Sequence, residues 1–243
     1  MKRSDKHELE ELQTLLAGEA AGANPHLDSE LGALRYINDA DQIKDSLPGG
    51  KILDWGCGLG QMTYLLKKRG FDVVSYDVDQ GGREFLDRLG QTLIVATDPV
   101  KLPFADGAFD AVLSSGVLEH VADRDGSLAE IRRVTKPGGR FFIFRLPNKY
   151  SYIEFLSDRL GRGDHPVKFS RRQIIKILSE KGFQAENCRY QGFLPYNLKG
   201  FPAPVRSIYH RLDAVWRSLD PLLDNCPGLR VFCTNLELVA RRK

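Results

Sequence analysis

Apolar residues change their spacing at residue 51, from every third or fourth position to short unbroken runs. Before that point, "HELEELQTLL" sets Leu9, Leu12, Leu15 and Leu16 on one helical face. Leu31, Leu34, Ile37 and Ile43 mark a second helix over about 29–47, and "PGG" at 48–50 ends it. From Lys51 onward, strand, turn and helix alternate. Ile52 and Leu53 open a short buried strand, and Met62, Leu65 and Leu66 line a helix that Gly70 stops. "FDVVSYDVD", "TLIVATD", "FDAVLSSG" and "GRFFIFRLP" predict four more strands. Helices are predicted at "EFLDRLG", around Leu128, Ile131 and Val134, and at "SRRQIIKILSEKG", where Ser170 and Gln173 have capping-box spacing. This alternation predicts an α/β fold, a doubly wound parallel sheet with helices on both faces.

Two segments break the rhythm, 147–169 and about 190–230, and both follow strands on the side where such sheets bind ligands. The organisation expected is an N-terminal helical extension or lid, 1–48, and one domain, 49–243, carrying these two inserts. After Pro204, Ile208, Tyr209, Leu212, Val215, Trp216, Leu219, Leu222 and Leu223 follow helical spacing across five turns. They predict one long amphipathic helix. Docking as core is the first expectation for it, ahead of a lid over an apolar acceptor or a membrane contact. "GFLPYNLKGFPAP", just before it, suits a pocket wall.

Composition narrows the class. The chain has 243 residues, 42% hydrophobic and 28% charged, with a net charge of +3, an ordinary globular balance. Lys and Arg are scattered, so no nucleic-acid partner is expected. Acidic residues follow the basic ones at once in "MKRSDKHELEELQTLL", which leaves no apolar core for a signal peptide. No run approaches the roughly 18 apolar residues of an integral membrane segment. Cys57, Cys188, Cys226 and Cys233 show no C-x-x-C spacing, so reduced thiols and a cytoplasmic location are expected.

The chemistry centres on "KILDWGCGLGQMTYLLKKRG". A glycine turn between strand and helix lets backbone approach a ligand at a helix N-terminus. A dinucleotide fingerprint needs glycine at its first, third and sixth positions, and the sixth here is Gln61; the third glycine is Gly60. An NAD-dependent oxidoreductase is therefore the weaker alternative.

"ILDWGCGLGQ", "VVSYDVD", "TDPVKLPFADGAFDAVLSSGVLEHV" and "IRRVTKPGGRFFIF" resemble, in order over about 51–146, the motifs of class I S-adenosylmethionine-dependent methyltransferases. "FSRRQIIKILSEKGF" is similar to the helix before their sixth strand. The resemblance implies a Rossmann-like, mostly parallel seven-stranded sheet whose last strand runs antiparallel between strands five and six. It implies S-adenosylmethionine as cofactor. On these positions Asp54 meets the ammonium directly or through water, as does the backbone near Ser115, and the backbone of Gly56, Cys57, Gly58 and Gly60 borders the amino-acid tail and ribose. Asp77 accepts from both ribose hydroxyls, Asp98 accepts from the adenine amine, and Val78 and Leu102 pack on the ring. The Cys57 side chain reads as a small filler.

Methyl transfer is an in-line displacement, which positioning alone can drive, so no signature base is required. The acceptor expected is a small molecule, partly apolar, with a hydroxyl oxygen the first candidate atom. His120 is a tentative base and His165 a weaker candidate. "VLEHV" resembles ubiquinone-biosynthesis O-methyltransferases, which implies a divalent ion held by Glu119, His120 and an earlier acid. That earlier position is Gly116, so no metal site is expected. A non-catalytic S-adenosylmethionine-binding protein is the other alternative.

Overall fold

Neighbouring side chains on a strand point to opposite faces of a sheet, and the run Phe141-Phe142-Ile143-Phe144 uses that alternation to feed two separate cores. In the computed structural model, which describes residues 7, 8, 10–12, 14, 30–161, 163, 165–195 and 203–243, Phe142 and Phe144 face one core, and Phe141 and Ile143 the other. Ile52 and Leu53 divide in the same way.

The strands are β1 (Lys51–Trp55), β2 (Asp72–Asp77), β3 (Leu93–Val95), β4 (Phe109–Ser115), β5 (Thr135–Pro147), β6 (Phe183–Gln191) and β7 (Asn235–Arg242). They form one seven-stranded sheet in the order β3-β2-β1-β4-β5-β7-β6. β7 lies antiparallel to both β5 and β6, and the β1, β2, β3, β4 and β5 pairings are parallel. The sheet topology implied by the resemblance is the one found. Because β1 sits between β2 and β4, the connections diverge there, which opens a crevice beyond the strands' carboxyl ends.

Helices α1 (Glu30–Ser46), α2 (Gln61–Lys68) and α3 (Arg83–Arg88) precede α4 (Arg124–Val134), α5 (Tyr152–Arg159) and α6 (Arg171–Glu180). α1 and α2 bring Ile37, Ala40, Ile43, Met62, Leu65 and Leu66 to one core. α4 and α6 bring Leu128, Ile131, Val134, Ile174 and Leu178 to the other. α6 starts on the expected capping box of Ser170 and Gln173. The predicted first helix is described only in part: residues 7, 8, 10–12 and 14 are helical and Leu12 is fully buried, while Leu9, Leu15 and Leu16 lie outside the described residues.

The long amphipathic helix expected after Pro204 is two helices, α7 (Ala203–Arg211) and α8 (Asp213–Asn225). The apolar spacing runs straight through the break, so it gave no sign of it. At the break, Leu212 N–H bonds three residues back to Tyr209 O, 3.0 Å. That carbonyl also accepts from the Trp216 indole, 2.9 Å, whose ring stacks on Tyr209. Docking as core is not what the helices do with their apolar face: Ile208 and Leu222 are 60% and 67% exposed. Among the described side chains of α7 and α8, Asp220 is the buried one, in an ion pair with Arg35 of α1. Of the segment read as a pocket wall, 196–202 lies outside the described residues.

Candidate active site

The glycine turn closes β1 onto α2. Gly56, Gly58 and Gly60 have φ of +74°, +54° and +87°, a region open to glycine at little cost. Their N–H groups are largely spent inside the protein: Gly56 and Cys57 donate to Tyr76 O, Gly60 to Cys57 O, and Gly58 to Asp77 Oδ2 at 2.7 Å. The turn therefore offers shape more than free donors. A Cβ on Gly56 would lie 2.4 Å from Val117 Cγ2, and one on Gly60 2.6 Å from Leu86 Cδ2, whereas one on Gly58 would meet nothing within 4 Å. The open side of the turn is at Gly58. The Cys57 side chain is buried with Leu86 and Leu93, and burial pushes its thiol up, so only its backbone can border a ligand.

The three strand-end acids behave differently. Asp54 is 1% exposed and accepts from Thr63 Oγ1 at 2.7 Å; Thr63 in turn shares a hydrogen bond with Ser75. Burial, with a smaller push from Asp77, raises its carboxyl to about 7. Asp77 is half-buried beside the open Gly58, and its neighbour Val78 is 70% exposed. Asp98 holds its own turn, accepting from Val100 N–H and Lys101 N–H, and these bonds lower its pKa. The Tyr76 phenol is raised by burial and then by the charges of Asp98 and Asp77. Leu102 is buried in the core, not open to a ligand ring.

A second group stands beyond β4. The contact between Gly56 and Val117 sets the turn after β4 directly against the glycine turn. That turn carries Glu119, 2% exposed, and His120, whose side chain is half exposed. Burial raises Glu119 to about 7. His120 does not cap α4; Asp123 does, accepting from Gly126 N–H at 2.9 Å. From the insert after β5, His165 stands beside them, its ring centroid 5.9 Å from that of His120. His165 Nδ1 lies 3.0 and 3.1 Å from the two carboxylate oxygens of Glu154 on α5. Among the described residues, Glu119, His120 and His165 form the group able to hold a metal ion, their ligand atoms all within 4.8 Å of one another.

Sequence reasoning passed over Glu154 and Arg145. Arg145 is the non-glycine residue with positive φ, 56°, among the described residues, and it sits where the β5–β7 register slips. Its guanidinium donates to Ser115 Oγ (2.6 Å) and to the fully buried Asp39 of α1 (2.7 Å), and covers the Tyr36 ring at 3.4 Å. Ser115 is thus held by side chain as well as strand. An arginine inside the apolar run "FFIFRLP" is a signal of a buried ion pair that sequence alone could have raised.

The sheet order, the antiparallel β7 and the glycine turn define a Rossmann-like methyltransferase fold. Residues 53–143 match the family model described as a methyltransferase domain. The chain is 38% identical over 175 residues to a ubiquinone/menaquinone biosynthesis C-methyltransferase UbiE from Burkholderia mallei, covering 63% of this chain and 72% of that one. It is 42% identical over 97 residues to a demethylmenaquinone methyltransferase from Beutenbergia cavernae, covering 40% of each. The match spans between 40% and 51% of the length of the three demethylmenaquinone methyltransferases. A methyltransferase structure from Thermotoga maritima superposes with a TM-score of 0.63 at 16% identity, covering 96% of this chain and 99% of that one. Burkholderia thailandensis 1,6-didemethyltoxoflavin-N1-methyltransferase, solved with S-adenosylhomocysteine, superposes with a TM-score of 0.60 at 15% identity, covering 100% of this chain and 91% of that one. The chain belongs to the class I S-adenosylmethionine-dependent methyltransferases, and S-adenosylmethionine is its cofactor. The open Gly58 with Asp77 and Val78 beside it fits a nucleoside there. No described helix is long and apolar enough to cross a membrane.

Proposed function

We propose that the protein transfers a methyl group from S-adenosylmethionine to a hydroxyl oxygen of a small, partly apolar acceptor. The observation that carries this reading is the grouping of Glu119 and His120, on the turn packed against the glycine turn, with His165 from the insert after β5. A hydroxyl must lose its proton as it becomes an ether, and this is the group that deals with that proton. The cofactor supplies an electrophilic methyl. The chain supplies alignment, which is worth about 7–11 kcal/mol in well-oriented reactions. Asp77 takes the ribose, the glycine turn the tail, Asp54 the ammonium through the layer beneath the turn, and Asp98 and Val78 the adenine. α1, held by Arg145, walls the site on the side of Ser115. Four free cysteines accord with a cytoplasmic setting.

Carbon is the second reading, because the Burkholderia mallei relative above is named a ubiquinone/menaquinone biosynthesis C-methyltransferase. Both readings accommodate an acidic hydroxyl on a ring, since its anion is nucleophilic at oxygen and at the adjacent carbon. A screen of phenols and quinols with methyl-labelled cofactor, followed by ether cleavage of the product, separates them. Label released by cleavage supports oxygen, and label retained on the ring overturns it in favour of carbon. A protein that binds S-adenosylhomocysteine but methylates nothing in the screen is a binding module. Stronger thermal stabilisation by NAD would overturn the cofactor assignment itself.

A further inference from the structure

We infer that the outward side of α5, α7 and α8 docks on the surface of an anionic lipid bilayer. The inference does not depend on the acceptor proposed above.

These helices pack with their polarity inverted, acids inward and apolar side chains outward. On α8, Asp220 pairs with Arg35 and accepts from Leu194 N–H at 2.9 Å. One turn on, Asp224 accepts from Gly192 N–H and Phe193 N–H at 3.1 and 2.8 Å. Val215, Leu219 and Leu222 follow helical spacing on the opposite side of α8 and are exposed. On α7, the Tyr209 hydroxyl reaches in to Pro195 O at 2.7 Å, while Val205 and Ile208 are exposed. On α5, Glu154 is buried against His165 and Lys168, while Phe155 and Leu156 are 57% and 52% exposed.

One segment ties the three together. Tyr152 of α5 donates to Phe193 O at 2.7 Å, so α5, α7 and α8 all make inner contacts with 192–195. Their outer sides therefore adjoin, and apolar side chains from three helices stand open to water together. Scattered single leucines need no explanation, but a patch of this kind marks an interaction site.

Charge selects the occupant. Among the described residues of 147–161 and 203–232, the exposed basic side chains are Lys149, Arg159, Arg211 and Arg230, and the exposed acid is Asp158. Asp158 is already neutralised by Lys168. With Glu154, Asp220 and Asp224 turned inward, the margin left around the apolar side chains is cationic. A lipid surface matches both properties: apolar side chains enter the headgroup boundary, and Lys and Arg meet anionic headgroups. Arg159 lies over the Phe155 ring at 5.2 Å, which presents an apolar group and its cation side by side. A second copy of the chain joined through the same side would set two cationic margins against each other.

The test is flotation of the full chain with vesicles of phosphatidylcholine alone and of phosphatidylcholine with about one-third phosphatidylglycerol, at low and high salt. Binding to the anionic vesicles is expected to be at least about 10-fold tighter than to the neutral ones, and to weaken as salt screens the charges. The double variant Ile208→Ser with Leu222→Ser should weaken it at least about 10-fold, because both side chains are exposed and would enter the lipid. Arg159→Glu should weaken it at least about 5-fold. Lys176→Glu makes the same charge change on an exposed residue of α6 and should leave binding within about 2-fold. Calorimetry with S-adenosylhomocysteine on each variant separates lost docking from lost folding. No flotation with either vesicle, equal binding to both, an unchanged double variant, or an equal loss in Lys176→Glu each overturns the inference. A dimer in sedimentation that the double variant abolishes, without vesicle binding by the parent, overturns it in favour of a second copy.

Discussion

Replacing Asp54 by asparagine tests whether a buried acid beneath the glycine turn is kept for the cofactor's ammonium. Asp54 is 1% exposed, and its carboxyl rises from an ordinary 3.8 to about 7 in the folded protein. Below about 4 the carboxyl is protonated whether the chain is folded or not. Between about 4 and 7 the unfolded chain has lost the proton and the folded one keeps it, so folding takes up a proton and stability falls as pH rises. Above 7 both forms are ionised, and the folded state carries the full penalty. At about 1.36 kcal/mol per pH unit that penalty approaches 4 kcal/mol, an upper bound set by burial. Asparagine keeps the shape and cannot ionise. Asp54→Asn should therefore exceed the parent's stability by only about 1 kcal/mol near pH 4.5 and by up to about 4 kcal/mol at pH 8. In urea that is a midpoint shift of about 1–2 M at the slope of a domain this size. The assay is urea unfolding of both proteins at pH 4.5, 6 and 8 without cofactor, followed by tryptophan fluorescence. S-Adenosylhomocysteine should reverse the order, since its ammonium stabilises the ionised carboxylate and the asparagine variant lacks one. Parallel stability curves for the two proteins would refute the reasoning, and equal ligand affinity at pH 8 would detach Asp54 from the ammonium.

Other substitutions probe the turn and its surroundings. Gly58→Ala meets no atom within 4 Å but must hold φ at +54°, so it should cost about 1–2 kcal/mol in stability while weakening S-adenosylhomocysteine at least 10-fold by calorimetry. Gly56→Ala drives a methyl to 2.4 Å from Val117 and should cost more in thermal stability than Gly58→Ala, with unfolding seen before any binding measurement. Asp77→Ala should lose at least about 2 kcal/mol of ligand binding from two abandoned hydroxyl contacts; an unchanged affinity would remove Asp77 from the ribose. Asp39→Asn strands the Arg145 charge and should destabilise by about 3–5 kcal/mol in urea, with Arg145→Met partly restoring stability in the double variant.

What could be read from residues alone follows a physical line. Strands and helices of the sheet were legible because each is fixed by a local period: Ile52 with Leu53, Phe141 to Phe144, and the capping box at Ser170 declare their faces without reference to anything distant. The glycine turn was legible for the same reason, since a positive φ at Gly56, Gly58 and Gly60 is a local demand. Its donors were not, because only the fold shows Tyr76 O and Asp77 consuming them. The break at Leu212 escaped for the converse reason: helical spacing is blind to a Trp216 indole that takes the Tyr209 carbonyl.

The remaining misses have a common cause and point to one division of labour. Arg145 with Asp39, Arg35 with Asp220, and His165 with Glu154 are pairs, and a pair across the fold has no period. In each, both partners lie outside 53–143, the span that the methyltransferase family model matches: Asp39 and Arg35 on α1, Arg145 near the end of β5, Asp220 on α8, Glu154 and His165 in the insert. Burying such charges stabilises little by itself, because desolvation offsets most of the attraction. What a buried pair does well is fix one orientation and penalise the others. On the proposed reading the matched core builds the cofactor half, while the flanking segments are fixed beside Ser115 and Glu119 through charge. An acceptor is then selected where the two meet, so exchanging the insert together with its Glu154 and His165 should change acceptor preference while leaving S-adenosylhomocysteine affinity within about 3-fold, within about 0.7 kcal/mol.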